Sequence, residues 1–552
     1  MWHAPSFRQG SLATGALLLT GTLLYAWHVL VPDTGWIAFI STAPWLLVLT
    51  RCRHWSYRRM LLAFGLAFYA LALVATPWLR SFTALGWVLA PVFYLPFFVL
   101  TPLLVHHLLR IYPKAPLLVL WPLSFTAAEW LRIRMSAGEL PLLQLGTGLI
   151  STPLLAQIAD VTGVAGLTAL ACMTGALAAA FVTVLARGGR GKREWRSLGY
   201  QAAVVVGTLL LVAGYGAVRE RQADFRPGPA VLVVQHNFHG WLDPADADRQ
   251  QAELVRMTEA GMAGRDVDIV VWPENSVMRV DPTDPRIGGI VTLARRLGAA
   301  ILVDGPTPSV GGVVHHTTAL VEGDSISSRY DKVALVPWSE YLPGVPALRR
   351  VSPPAAEAFR GLVHSANPHL LEMTRGSRIH TLDFTDPDGR RYAVATPICY
   401  ESLSPRLMAA FFRAPARRYA GAFVLNPVSE RLLGNAIHEQ TLALTRLRAI
   451  ENRVTIIRAS NNGISAAVDP SGRPYAWVRN PSGGYAVDQA GFFVADVILD
   501  SRFGTVYARY GDWLPNLFLV GLTALAVAGG FLRRRRQPAP AAGAASHTAD
   551  PA

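Results

Sequence analysis

The order of apolar and polar positions divides this 552-residue chain into two kinds of pattern. Over the first 218 residues, seven apolar runs recur at about 11–31, 34–50, 60–79, 87–109, 115–131, 161–186 and 198–218. An eighth, "WLPNLFLVGLTALAVAGGFL", spans 513–532. About 20 apolar residues of helix cross a hydrocarbon core, and these runs mostly reach that length; 34–50 and 115–131 are the shortest. A cleaved leader would account for the first run and for none of the six that follow. The pattern predicts a multi-pass α-helical membrane domain of about eight spans.

Between about 229 and 502 the pattern changes. "AVLVVQHN" (230–237), "DIVVWPE" (268–274), "AAILVDGP" (299–306), "YAVATPICY" (392–400), "AGAFVLNP" (420–427) and "VTIIRASNNG" (454–463) read as strands. They are continuous apolar runs, as in strands covered on both faces. Helical stretches intervene at 248–264 and 437–453. This alternation predicts an α/β layered domain, with Asn237, Glu274, Cys399 and Asn426 at the C-terminal ends of its strands, the edge where ligands bind in open α/β sheets. The expected organisation is a membrane domain over 1–222, an α/β domain over 223–505, a last span over 506–536 and a Pro/Ala-rich disordered cytoplasmic tail over 537–552. No internal repeat is visible.

Charge orients this arrangement. Only 16% of residues are charged, yet the net charge is +14. Lys and Arg concentrate in "RCRHWSYRR" (51–59), "RIYPK" (110–114), "RGGRGKREWR" (187–196) and "RRRR" (533–536), after the second, fourth, sixth and eighth runs. Positive loops stay in the cytoplasm, so both termini are expected inside and 219–512 outside. The basicity is a topology signal, and no nucleic-acid partner is expected. Cys52 then lies in a cytoplasmic loop, Cys172 in a span, and Cys399 alone outside, without an intrachain disulfide partner. A buried Cys399 would be a small hydrophobe; an accessible one in an oxidising compartment is a liability unless it is used.

Three stretches can use it. "VVWPENSV" places Glu274 just past a strand, "YDKVALVPWSEYLP" offers Lys332 and Glu340, and "TPICYES" offers Cys399. A thiol must ionise to attack a carbonyl; a carboxylate can take its proton and a lysine can stabilise the oxyanion. Taken singly, each has a structural reading: a strand-end carboxylate, a hairpin lysine, a core cysteine. Their occurrence together, in order and each at a strand or loop boundary, favours acyl transfer without histidine. His315 and His316 on one strand point to opposite faces with no Cys/His/Asp cluster expected around them, so neither a metal nor a cofactor is expected. His106 and His107 read as interfacial, and Glu129 is placed to pair with Arg132 or Arg134.

The order "WPE", "YDK…VPWSEYLP", "ICYE" resembles the nitrilase (carbon-nitrogen hydrolase) superfamily. With seven spans before it and one after, and with "EWLR" (129–132), "VVQHN" (233–237) and "RASNNGISAAVDPSG" (459–472), the chain resembles the membrane-embedded branch, the apolipoprotein N-acyltransferases. The resemblance implies a four-layered αββα domain facing the periplasm, at the cytoplasmic (inner) membrane. It implies transfer of an acyl chain from a phospholipid donor to the N-terminal amine of a diacylglyceryl-cysteine apolipoprotein, by an enzyme expected to be monomeric. By motif, Cys399 would be the nucleophile, Glu274 the general base and Lys332 the stabiliser of the tetrahedral intermediate. Glu340 would be the family's second glutamate, Tyr400 and Glu401 the pair after the nucleophile, and Trp241 the tryptophan after the "Q-x-N" segment. Two places depart from the family: "NPVSERLLGN" (426–435) lacks its aromatic pair, and His315 and His316 stand where it has Tyr-Asn. A membrane-tethered amidase with water as acceptor would use the same triad, but has no need of eight spans. A transporter or receptor would leave the triad idle.

Reporter fusions at residues 55 and 190 are expected to read as cytoplasmic and one at residue 300 as exported. A cytoplasmic reading at 300 would overturn this topology.

Overall fold

The computed structural model describes residues 7–81, 84–135, 139, 141–189, 191–238, 244–308, 314–366, 372–413, 419–431, 437–501 and 504–536. Among them, Ser11–Leu30, Tyr57–Ala75, Ala84–Ile111, Val164–Ala186 and Lys192–Arg221 are long and apolar enough to cross a membrane. Leu117–Met135 and Trp513–Arg536 occupy the fifth and eighth apolar runs. The expected tail over 537–552 lies outside the described residues.

The second run is not one helix. It breaks into a 3₁₀ turn, Pro32–Ile37, and two short helices, Ala38–Ser41 and Ala43–Arg51. Pro32 and Pro44 lack the N–H that a continuing helix needs. Gly35 also packs directly on backbone, where a Cβ would meet the Gly148 carbonyl oxygen at 1.6 Å. Glu129 differs from expectation too: it accepts from the Leu145 N–H (2.8 Å) and the Thr168 hydroxyl (2.7 Å), while Arg132 donates to the Leu142 carbonyl and Arg134 to Glu139.

The outer domain has two six-stranded sheets. In the first, β1 (Phe225–Gln235), β2 (Ile269–Val271) and β3 (Ala300–Pro308) run parallel, flanked by antiparallel β4 (Val314–Glu322), β5 (Ser325–Asp331) and β12 (Gly491–Asp500). In the second, β7 (Arg391–Ala395), β8 (Gly421–Val428) and β9 (Ile456–Ser460) run parallel, flanked by β6 (Leu382–Thr385), β10 (Ala466–Val468) and β11 (Pro474–Trp477). Period-2 alternation divides the first sheet. Val231, Val233, Val271 and Leu302 face the second sheet's Val394, Phe423 and Leu425, while Leu232, Val270 and Ile301 pack under helices Pro244–Met262 and Pro285–Leu297. With helices Pro405–Phe412 and His438–Asn452 outside the second sheet, the layering is αββα.

Helix His438–Asn452 joins the halves. All its residues except Glu439 and Arg446 are buried. Leu442 and Ala449 pack on the sheets, whereas Ala443, Leu444, Leu447 and Ile450 belong to the core of the membrane helices. Beyond its end, Arg453 reaches Asp160, which also accepts from Arg219 (2.7 Å) and Tyr215 (2.6 Å). Asp160 and Arg453 are both buried. Removing one partner of a buried ion pair costs about 3–5 kcal/mol. Asp160→Asn is therefore expected to lower the thermal unfolding midpoint of the detergent-solubilised protein by several degrees. An unchanged midpoint would show that the two halves are seated without this cluster.

Candidate active site

Cys399 does not end a strand. β7 stops at Ala395, and Cys399 opens a 3₁₀ turn, Cys399–Leu403, with φ of +52°. Such a left-handed backbone is uncommon for a residue with a side chain. Glu401 holds it. This fully buried carboxylate accepts backbone N–H groups from Ile398 (2.9 Å), Val333 (2.7 Å) and Ala334 (2.7 Å), and the Tyr330 hydroxyl at 3.1 Å. It thus ties the cysteine turn to the loop that begins at Lys332. Asn426, inside β8, adds a bond from Nδ2 to the Pro397 carbonyl at 2.7 Å.

Lys332 follows β5 directly and is fully buried. Its Nζ lies 2.7 Å from Glu340 Oε1 and 3.6 Å from Glu274 Oε1. Glu340 is fixed in turn by the Val336 N–H at 2.8 Å, and Glu274 Oε2 accepts the Ser429 N–H at 2.7 Å. Glu274 faces the Cys399 thiol, and Lys332 is close enough to act on the thiol's charge. Three of the residues singled out by sequence, Glu274, Lys332 and Cys399, therefore meet, with Glu340 beside them. Tyr400 is the second residue of the turn, its hydroxyl without a hydrogen-bond partner among the described residues. Asn237 goes elsewhere, its N–H donating to the Asn461 carbonyl. Trp241 lies outside the described residues.

The electrostatics suit proton transfer. Burial pushes the Cys399 thiol well above its usual value, and the Glu274 charge adds to this against the pull of Lys332. Burial also raises Glu274, opposed by Lys332 and His316. Burial alone would lower Lys332, but Glu340 and Glu274 outweigh it and keep the ammonium charged. Glu340 is driven the other way: burial would raise it, yet Lys332 and His316 hold it at about 2. Burial thus raises both the thiol and the carboxylate that faces it, and a carboxylate of raised basicity suits proton transfer.

The structure adds His316, Asp304 and Ser429, none of which the motifs indicated. Alternation along β4 turns His316 and Thr318 to one face, where both donate to Asp304 Oδ atoms at 2.7 Å. Asp304 also accepts the Asn275 N–H at 2.9 Å, fixing the residue after Glu274. The expectation that no acidic cluster surrounds the histidine pair is overturned for His316, which lies 2.7 Å from Asp304, 3.7 Å from Glu340 and 4.0 Å from Glu274. Ligand atoms of Glu274, His316 and Glu340 all fall within 4.8 Å of one another, but the Lys332 ammonium already bridges the two glutamates. The pairing follows from the β3–β4 register, which sets Asp304 opposite Thr318 and two residues from the partner of His316.

Two family models match the chain. "Apolipoprotein N-acyltransferase N-terminal domain" matches residues 21–177 and "Carbon-nitrogen hydrolase" matches residues 232–480. An apolipoprotein N-acyltransferase of Bordetella bronchiseptica is 31% identical over 446 residues, covering 76% of this chain and 74% of that protein. The chain belongs to the apolipoprotein N-acyltransferase family. Another member, from Geobacter metallireducens, is 27% identical over 82% of this chain and 85% of its own. Among solved structures, an amidase from Nesterenkonia sp. is 20% identical with a TM-score of 0.33, covering 49% of this chain and 90% of its own. Family membership agrees with the membrane helices, the αββα domain and an acyltransferase enzyme.

His316 carries a pH prediction. Burial alone would lower its pKa, but Asp304 and Glu340 outweigh it and raise it to about 10. Its unfolded value is about 6.5. A raised histidine contributes stability that is present below about pH 6.5 and lost as pH rises through the folded value. The unfolding midpoint is therefore expected to fall between pH 7 and 10, and less steeply in His316→Gln. Parallel pH curves for the two proteins would show that His316 does not hold its proton in the fold.

Proposed function

We propose that the chain transfers an acyl chain from a membrane phospholipid, through a thioester on Cys399, to the N-terminal amine of a diacylglyceryl-cysteine apolipoprotein. The reaction would take place on the outer, periplasmic face of the cytoplasmic membrane. The observation that carries this reading is a thiol facing the Glu274 carboxylate, beside the Lys332 ammonium, in a domain whose helix His438–Asn452 packs one face into the core of the membrane helices. The site needs no second copy, since all three residues come from one chain, which suits a monomer.

In the first half-reaction, the Cys399 sulfur attacks the phospholipid ester carbonyl while its proton passes to Glu274. The Lys332 ammonium stabilises the resulting oxyanion, a contribution typically worth about 10²–10³ in rate per donor. The C–O bond then breaks, and the lysophospholipid oxygen leaves with the proton from Glu274. In the second half, the lipoprotein amine attacks the thioester, Glu274 accepts an amine proton, and the C–S bond breaks to give the amide and restore the thiol. Glu340, anchored by the Val336 N–H, keeps Lys332 placed for the carbonyl oxygen that becomes the oxyanion. Membership of a family named for N-acyl transfer, together with the membrane helices, supports amine over water as the acceptor.

This mechanism is ping-pong. Labelled phospholipid supplied without acceptor is expected to leave hydroxylamine-sensitive label on the peptide containing Cys399, and Cys399→Ala to leave none. Lys332→Ala should slow acylation by about 10²-fold or more. Label recovered only as free fatty acid, never on the enzyme or on added lipoprotein, would favour hydrolysis instead.

A further inference from the structure

The segment after β8, where "NPVSERLLGN" departs from the family's pattern, buries a charged cluster that the acyl-transfer steps do not use. Glu430 is 2% exposed. Its Oε1 accepts from the Thr441 hydroxyl at 2.6 Å and pairs with the Arg458 guanidinium, while Oε2 meets His438 Nδ1 at 2.7 Å. Arg458 lies on β9 and is itself fixed by Nε to the Ile464 carbonyl at 3.0 Å. Thr441 and His438 belong to the buried helix that packs against the membrane core. Burial alone would raise the Glu430 carboxyl, but Arg458 and His438 outweigh it and hold it at about 2, so the clamp is ionic.

The residue before it, Ser429, touches both reacting partners. Its N–H donates to Glu274 Oε2 at 2.7 Å, and its carbonyl oxygen lies 3.9 Å from Cys399 Sγ. Its Oγ is not needed for either contact, so what matters is where the 429 peptide is held. Gly463 leaves the room for the clamp, since a Cβ there would stand 2.1 Å from Glu430 Oε2.

We infer that Glu430 is a positioning residue: clamped by Arg458, His438 and Thr441, it holds the Ser429 peptide so that its N–H keeps Glu274 ionised and aimed at Cys399. This inference rests on the acyl-transfer reading above. It also makes the helix seated on the membrane domain a support of the general base. The charged and titratable groups facing Glu274 are Lys332, Glu340, His316, Asp304 and Cys399, and none of them comes from the segment Glu430 holds. The Ser429 N–H is therefore a separate handle on Glu274.

A hydrogen bond to the charged form of a carboxylate lowers its pKa. Loosening the Ser429 peptide should raise Glu274 and move the acidic limb of the acylation rate to higher pH. The test measures thioester formation on the full-length enzyme in detergent micelles with a labelled diacyl phospholipid, from pH 5 to 9. Glu430→Gln is expected to move the acidic limb upward by about one unit, the scale of one lost charged hydrogen bond, with the phospholipid KM little changed. Thr441→Val removes one bond to Glu430 without stranding Arg458, and should move the limb in the same direction by less. It decides the matter if Glu430→Gln does not fold. A lower rate with an unmoved limb in the folded variants would overturn the inference and leave acyl transfer standing. Absence of any thioester on the unaltered enzyme would overturn acyl transfer and the inference with it.

Discussion

Mutual neutralisation of buried charge is the condition on which the active site stands. Glu274, Glu340 and Asp304 are buried carboxylates, and Lys332 and His316 are the buried cations among them. An isolated charge at such a place is strongly disfavoured, and taking one partner from a buried pair leaves the other uncompensated. The set therefore behaves as a unit. It holds one more acid than base, a surplus that fits the proton-accepting role proposed for Glu274. Lys332 cannot relax toward solvent because Glu340 and Glu274 keep it, which fits the oxyanion role proposed for it.

Parallel register turns that chemical condition into geometry. The triad rides on segments that leave the C-terminal ends of β2 and β7 and the end of β5, while Ser429 follows β8. Because β2 and β3 of one sheet and β7 and β8 of the other run parallel, their exits collect at one edge. Glu401 then ties the exit of β7 to β5 and its exit, through three backbone N–H groups and the Tyr330 hydroxyl. The same helix that supports β8 from outside is packed against the membrane core on its other face. One helix thus contributes a face to each of two hydrophobic cores, that of the membrane helices and that of the sheets.

Much of this was legible in sequence where burial is two-sided. The six strands read as continuous apolar runs became β1, β2, β3, β7, β8 and β9, the parallel centres of both sheets. The antiparallel flanks escaped because they mix polar and apolar residues: β5 reads "SISSRYD" and β6 "LDFT". The apolar runs marked the membrane helices, but not the break at 32–51, which Gly35 and two prolines impose through contacts made far along the chain. Motif order located Glu274, Lys332 and Cys399. It did not reveal His316 or Asp304, since an ion pair across a ladder depends on register, which residue types in isolation do not carry. Glu129 showed the same blindness: its partners are a backbone N–H and a threonine 39 positions away, and neither is a charge.

The chain's last apolar helix has a bearing on when the molecule is complete. The Tyr112 hydroxyl donates to the Leu525 carbonyl across 413 positions of sequence, Trp130 to Asp512, and Trp513 to the Val161 carbonyl. These contacts cannot exist until residues 512–525 have been made, after the whole of the outer domain, because a chain is synthesised from its N-terminus. The side of the membrane bundle next to helix Leu117–Met135 therefore lacks these partners until the outer domain has been synthesised. Final closure of that flank is a late event in biogenesis, set by synthesis and insertion rather than by the local speed of helix formation.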